Sequence, residues 1–245
     1  MKRKICFSTG NMYLLHKDRH DQIKACLNLD VDGIEVLFPT IKSMMGFKFK
    51  SQEIKKLRNF KFNTIHFPFW DKKAKQTAYL HNNKHCKNAI SKAMYLADQI
   101  NAVNINLHAH QLKSRRLFDG IDMNRFSFEN LEEKHKFSLS DYKTVTKKYP
   151  EFSMLLDTSH GIRTKQLEKI IKGFKDKIKF IHLSGAKGIK DDHYLVHRFN
   201  HPNRKKLELI KKLKCKVIIE AGREKGLTIN DFKNEIRYVR RWLNC

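Results

Sequence analysis

The chain has 245 residues, and its 51 lysines and arginines outnumber its 25 acidic residues, giving a formal net charge of +26. With 40% hydrophobic and 31% charged residues, the composition excludes a disordered tail and a membrane protein. The amino terminus meets Ser8, Thr9 and Gly10 instead of a long apolar stretch, which argues against a secretory signal. Five scattered cysteines without a C-x-x-C pair favour a reducing cytosol, so we expect a cytoplasmic protein.

The positive charge requires either an anionic partner or an explanation from codon usage. An AT-rich genome would raise the lysine content, but it would not by itself deplete Asp and Glu so strongly. The basic residues are distributed along the whole chain instead of in one tail, so the charge belongs to a folded body. We therefore expect nucleic acid as the partner, bound through its phosphates.

Eight short apolar runs alternate with segments of helical periodicity. The predicted strands cover residues 5–9, 33–38, 62–67, 103–108, 125–129, 152–157, 178–183 and 216–220. Apolar residues at helical spacing in 90–100, 167–174 and 232–243 are the clearest helix signals between and after them.

This alternation predicts a single (β/α)8 TIM barrel spanning residues 1–245. A doubly wound open sheet is the alternative, but the Gly-rich phosphate turn expected after its first strand is missing. The segment between His108 and Arg125 barely holds a full helix. The crossover from the fourth to the fifth strand is therefore predicted to be a loop or a single turn.

The third to the eighth predicted strands each carry His, Asp or Glu at their last or next-to-last position. In a barrel these side chains converge on the mouth at the carboxyl ends of the strands. Their burial together would be costly without cations, so they predict a metal site. The candidate ligands are His66, His108, Glu129, Asp157, His160, His182, Asp191, His193 and Glu220.

These ligands are too many for one ion, so two or three ions are expected. Nitrogen and oxygen ligands without thiolate suit zinc, manganese or iron. His110 is an alternative to His108, because both would point to the same face if the strand continued.

The strand-end motifs resemble those of the endonuclease IV family of apurinic/apyrimidinic (AP) endonucleases, within the xylose-isomerase-like TIM-barrel superfamily. The most specific are the tetrad from Asp157 to His160 and the Asp-x-His of Asp191 and His193, which follows His182. The chain departs from the family after the Asp-x-His, where the usual Gly-Glu-Gly turn is absent.

The resemblance implies hydrolysis of the phosphodiester 5′ to an abasic site in double-stranded DNA. It implies up to three metal ions, with zinc as the default and Mn²⁺ or Fe²⁺ as alternatives. Glu129 would bridge two of the ions and act as the catalytic residue. The implied ligand sets are His66, His108 and Glu129; Glu129, Asp157, His182 and Glu220; and His160, Asp191 and His193.

Side chains beyond the ligands are candidates for DNA binding. By the same resemblance, Phe69 and Trp70 would wedge into the base stack, with simple packing under a loop as the alternative. Lys48, in the loop after the second strand, is a further candidate. We expect a monomer without membrane association.

Two other functions compete with the nuclease. A sugar isomerase or epimerase of the same superfamily would use one ion at Glu129, Asp157, His182 and Glu220, and would need neither the Asp-x-His nor the positive charge. A catalytically silent nucleic-acid-binding barrel would not need an intact ligand set. Glu35, inside the second strand, is interpreted as a buried structural carboxylate, or as a base if the protein acts on sugars.

Overall fold

Eight parallel strands close into a barrel in the computed structural model, which describes residues 3–71, 76–131, 137–187 and 193–244. The strands are β1 Ile5–Ser8, β2 Gly33–Leu37, β3 Asn63–His66, β4 Trp70–Asp71, β5 Gln76–Thr77, β6 Ala102–His108, β7 Phe126–Glu129, β8 Ser153–Asp157, β9 Ile178–Leu183 and β10 Lys216–Ile219. The barrel strands follow chain order around the ring, and β10 closes it by pairing with β1. The predicted TIM barrel is therefore confirmed. The short antiparallel pair of β4 and β5, which follows β3, was not predicted.

Helices connect the barrel strands. Those of the described ranges are α1 Arg19–Cys26, α2 Ile41–Met45, α3 Ser51–Arg58, α4 Lys84–Gln99, α5 Leu139–Lys148, α6 Thr158–Arg163, α7 Leu167–Phe174, α8 Arg204–Leu207 and α9 Ile229–Leu243. The three predicted helical segments correspond to α4, α7 and α9. As predicted, the crossover from β6 to β7 contains only short 3₁₀ turns. None of the helices in these ranges has the length and apolar character of a membrane span.

Every second residue along a strand points into the barrel, and these inward-pointing side chains form two layers, one above the other. The lower level is an apolar plug separate from the main core, formed by Cys6, Phe62, Leu155, Phe180 and Ile218. Two residues further along the same strands, polar groups take the equivalent positions: Asp157 follows Leu155, His182 follows Phe180, and Glu220 follows Ile218. At the carboxyl ends of the strands, a layer of polar side chains thus lies above the apolar plug.

Gly33, the first residue of β2, lies where the neighbouring backbone leaves no room for a side chain. A Cβ atom there would lie 1.7 Å from the carbonyl oxygen of Phe62. Because backbone would have to move, we expect Gly33→Ala to lower the free energy of unfolding by about 3 kcal/mol or more in urea denaturation. Gly173→Ala in α7 is the control: its Cβ would meet nothing within 4 Å. It should stabilise the protein by about 0.5–1 kcal/mol, and equal effects of the two substitutions would contradict the close approach.

Candidate metal centre

Eight of the nine predicted ligands lie within the described residues, at the carboxyl end of the barrel; the ninth, Asp191, lies outside those residues. Three overlapping groups have ligand atoms within 4.8 Å of one another: His66, Glu129 and His182; Glu129, Asp157, His182 and Glu220; and Asp157, His160 and His193. All of these side chains are buried except Glu220, which is partly buried. Because the groups share Glu129, His182 and Asp157, they form one continuous cluster of candidate ligands.

Glu129, the last residue of β7, lies at the centre of the site. Its Oε2 atom is 3.4 Å from Nε2 of His66 and 3.4 Å from Nδ1 of His182, while Oε1 is 3.5 Å from Nδ1 of His160. Burial would raise the pKa of the Glu129 carboxyl, but His182 and His66 hold it well below its usual range. One carboxylate therefore faces ligands on both sides of the site, as a bridging group must.

A chain of hydrogen bonds inside the barrel fixes this carboxylate. Asn104 donates to the Ser127 hydroxyl over 2.8 Å, and Ser127 donates to the Asn106 amide oxygen over 3.1 Å. The Asn106 amide nitrogen in turn donates to Oε2 of Glu129. All four side chains are buried, so the network restricts the Glu129 rotamer from below.

Backbone carbonyls orient two of the imidazole rings. Nδ1 of His66 donates to the carbonyl oxygen of Phe67 over 2.9 Å, which leaves Nε2 facing Glu129. Nδ1 of His160 makes the same contact with the carbonyl oxygen of Asn130 over 2.9 Å. Burial alone would lower the pKa of His66, but the hydrogen bond and charge of Glu129 raise it to about 9. A proton on Nε2 thus balances the buried carboxylate at the position that suits a metal ion.

Glu35 is a buried carboxylate, as predicted, but the sequence analysis missed its contact with His182. Its Oε2 atom accepts a hydrogen bond from Nε2 of His182 over 3.1 Å and another from the Thr64 hydroxyl over 3.3 Å. The other ring nitrogen, Nδ1, therefore faces Glu220 at 2.8 Å. Glu35 and His182 are both fully buried. A carboxylate behind a histidine ring is a common support for a metal ligand, because it sets the tautomer.

Asp157 connects the two halves of the site. Its Oδ1 atom caps α6, accepting from the backbone N–H of His160 over 2.7 Å and from the Ser159 hydroxyl over 3.0 Å. Its Oδ2 atom is buried and has no hydrogen-bond partner among the described residues, and it lies 3.9 Å from Nε2 of His193. Such an orphaned carboxylate oxygen is costly unless a cation compensates it.

The backbone at His193 also has a conformation that is uncommon for a side-chain-bearing residue. Its φ of 59° lies in the left-handed region, and its carbonyl oxygen accepts a hydrogen bond from Gly222 over 2.9 Å. Strained residues are concentrated at functional sites, where the surrounding structure holds them. The orphaned oxygen of Asp157, the oriented imidazoles and the nitrogen and oxygen donors together fit a centre for zinc, manganese or iron.

The mouth of the barrel opens above the ligands into a cavity of about 350 Å³. Phe69 and Trp70 line it, and they are 39% and 41% exposed. The Phe69 ring is stacked on His108 with 5.9 Å between ring centres, and Nε2 of His108 lies 3.8 Å from Oε2 of Glu129. His110 lines the same cavity, 5.7 Å from His108 between ring centres. Lys48 is exposed but lines neither this cavity nor the adjoining one.

A second cavity of about 370 Å³ adjoins the first and was not predicted. It is lined by Tyr13 and Arg19, from the segment after β1, and by Arg223, after β10. Tyr13, Leu14 and Leu15 are all exposed. The available sequence signal was this short apolar run, which follows a predicted strand but has no helical stripe of its own.

The comparisons with known proteins identify the fold. No protein-family model matches the sequence, and no curated protein matches it. Endonuclease IV from Thermus thermophilus is 14% identical, with a TM-score of 0.67 over 98% of this chain and 99% of that chain. A D-tagatose 3-epimerase-like protein is 14% identical, with a TM-score of 0.70 over 98% of this chain and 97% of that chain. An AP endonuclease of family 2 from Brucella melitensis is 12% identical, with a TM-score of 0.67 over 96% of this chain and 99% of that chain.

The fold is a TIM barrel similar to the barrels of these structures. At these identities the similarity concerns the fold alone, and the similar structures include both endonucleases and epimerases.

Replacement of Glu35 tests its support of His182. Glu35→Leu removes the acceptor for Nε2 of His182, so we expect the affinity for zinc to fall about 10- to 100-fold. Glu35→Gln keeps an oxygen acceptor and should lose less. Competition with a chromophoric chelator measures the affinity, and thermal unfolding of the metal-free variants checks that the fold is kept. A Glu35→Leu protein that binds zinc like the wild type would disprove this role.

Proposed function

We propose that this protein is a metal-dependent AP endonuclease that hydrolyses the DNA phosphodiester 5′ to an abasic site. The observation that supports this most is the group of Asp157, His160 and His193 beside the four-residue group that contains Glu129 and Glu220. Together with His66, which groups with Glu129 and His182, the site offers seven ligand residues, more than one four- to six-coordinate ion would use. Clamps of two or more ions are typical of phosphodiester hydrolysis, where attacking and leaving oxygens both carry negative charge.

Electrostatics support the same proposal. The metal-free centre holds several buried carboxylates and would repel a phosphodiester, so divalent ions are needed to reverse the sign of the site. The net charge of +26 is far above what a neutral sugar substrate requires. A surplus of that size suits a polyanionic partner, whose counterions are released on binding.

The side chains of the centre have distinct roles in this proposal. Bound metal ions would supply Lewis acidity and lower the pKa of a water molecule. Glu129 would be a ligand shared by two ions, since its two oxygens face different histidines. Glu35 orients His182, and Phe69 and Trp70 would contact the bases that flank the abasic nucleotide.

A sugar epimerase is the second candidate, because one observation favours it. Glu129, Asp157, His182 and Glu220 alone form a complete site for one ion. An ion held there could polarise a carbonyl group of a ketose. The fold is compatible with this function, as the similarity to the D-tagatose 3-epimerase-like protein indicates.

One assay with two substrates separates the candidates. The purified protein is incubated with a duplex that carries a single abasic analogue, with and without a strong chelator. We expect incision on the 5′ side of the lesion that the chelator abolishes. Epimerisation of a ketose in the presence of manganese, without any incision, would support the second candidate instead.

Glu129→Gln tests the bridging carboxylate. The amide cannot bridge two cations through charged oxygens, so we expect the incision rate to fall by about 10³-fold or more. Glu168→Gln, at an exposed position of α7, makes the same chemical change away from the site and is the control. Circular dichroism should show the same fold in both variants. Incision by Glu129→Gln at the rate of the control would be incompatible with bridging.

His160→Asn tests the need for the second ligand group. It removes one donor beside Asp157 and leaves the four-residue group intact. For the nuclease, we expect the bound metal per chain to decrease and incision to fall about 100-fold or more. Metal analysis and the incision assay are made on the same samples. If this variant keeps its metal content and incises normally, the second group is dispensable and the multi-ion proposal is wrong.

A further inference from the structure

Arg19 is held firmly by neutral groups at the edge of the metal centre. Its Nη1 atom donates to the Thr9 hydroxyl over 3.5 Å and to the side-chain oxygen of Gln22, and its guanidinium carbon lies 5.7 Å from the centre of the Phe38 ring. Nε and Nη2 make no hydrogen bond with the described residues. These contacts involve Nη1 and the face of the guanidinium, so two of its three nitrogens stay available for a ligand.

The charge of Arg19 is not paired within the part of the chain that the structure describes. Four other arginines form ion pairs with carboxylates: Arg115 with Glu151, Arg125 with Asp98, Arg198 with Asp231, and Arg240 with Asp32. No carboxylate of the described ranges lies within 4.0 Å of Arg19.

Burial lowers the pKa of Arg19 to about 10, and the group stays cationic at neutral pH. A half-buried cation that is oriented but not neutralised suits an anionic ligand, because such a ligand would compensate its lost hydration.

The position of Arg19 indicates which anion this is. The cavity of about 370 Å³ that Arg19 lines also contacts Glu220 and His193 of the metal centre. A second cation, Arg223, lines the same wall, and Tyr13 adds an aromatic ring that is 46% exposed. The cavity thus combines cationic donors, an aromatic surface and an edge of the metal centre.

We propose that Arg19 binds a phosphate group carried by a pentose whose other phosphate lies at the metal centre. The proposal rests on the proposed function and refines it, since it assigns a neighbouring phosphate of the DNA strand to this cavity. The planar guanidinium offers a phosphate two parallel hydrogen bonds through Nε and Nη2. Tyr13 lies beside the sugar. A free pentose phosphate offers Arg19 the same phosphate group without the second one, and calorimetry with ribose 5-phosphate separates the two sources.

Arg19→Gln is compared with Arg58→Gln, which makes the same charge change at the opposite end of the barrel. Arg58 is an exposed residue at the end of α3, where it donates to the carbonyl oxygen of Gln99. For Arg19→Gln we expect the KM for an abasic duplex to rise about 10- to 100-fold. The slope of log affinity against log salt should weaken by about 0.9, the value for one phosphate contact. The control, Arg58→Gln, should match the wild type in both KM and the salt slope.

Three further measurements separate this role from a structural one. Metal content and the thermal unfolding temperature should be the same in Arg19→Gln and in the wild type, because Arg19 is not a candidate metal ligand and makes no hydrogen bond to one. Arg19→Lys keeps the charge without the planar fork, so its KM should be intermediate. Wild-type KM and salt slope in Arg19→Gln would overturn the proposal.

Calorimetric titration of the zinc-loaded proteins with ribose 5-phosphate makes the result independent of incision. If the wild type does not incise but binds ribose 5-phosphate in an Arg19-dependent way, the phosphate site stands and the nuclease proposal fails. If incision occurs with the expected change in KM, both stand, and the source of the phosphate is the DNA strand. Binding of both the duplex and ribose 5-phosphate undiminished by Arg19→Gln would exclude the phosphate site.

Discussion

The burial of several carboxylates at one end of the barrel is the constraint on which the rest of the site depends. Glu35, Glu129 and Asp157 are buried within the ring of strands, and each buried ion would cost several kcal/mol without compensation. In the metal-free protein, imidazolium groups provide part of this compensation. Burial alone would lower the pKa values of His66 and His182, but the neighbouring carboxylates raise both. Protons and metal ions therefore compete for the same positions. The buried carboxylates form a cage whose negative charge is balanced only by cations.

The precision of this cage comes from groups that do not themselves face a metal ion. Carbonyl oxygens of Phe67 and Asn130 set the rings of His66 and His160, and Glu35 sets the ring of His182. The network from Asn104 to Glu129 adds a polar layer between the ligands and the apolar plug. Because these supports belong to barrel strands or to residues directly after them, the ligands are fixed by the rigid part of the fold and not by loops.

Much of this arrangement could be predicted from the sequence, because the signals are local. The six strands that carry candidate ligands, β3 and β6 to β10, are short runs with a polar residue at or beside their carboxyl end, and the parallel barrel brings those ends together. The contact between Glu35 and His182 has no local signal: the residues are 147 positions apart and lie on different strands across the barrel. The pair of β4 and β5 was missed because its strands are too short for a periodic pattern. Lys48 was predicted from its place in the basic and apolar loop after the second strand, and it lines neither cavity.

The shape of the mouth connects the metal centre to the size of the ligand it would accept. Phe69 lines both cavities, so it stands between them, and Glu220, His193 and Arg223 also border both. A single sugar would occupy one cavity and leave the other, with its exposed apolar edge, in contact with water. A ligand that fills both cavities would pass over Phe69 and reach Arg19 and Arg223 on the wall of the second cavity. Under the proposed function, an extended DNA strand with unstacked bases would reach both cavities, whereas a single sugar would occupy only one of them.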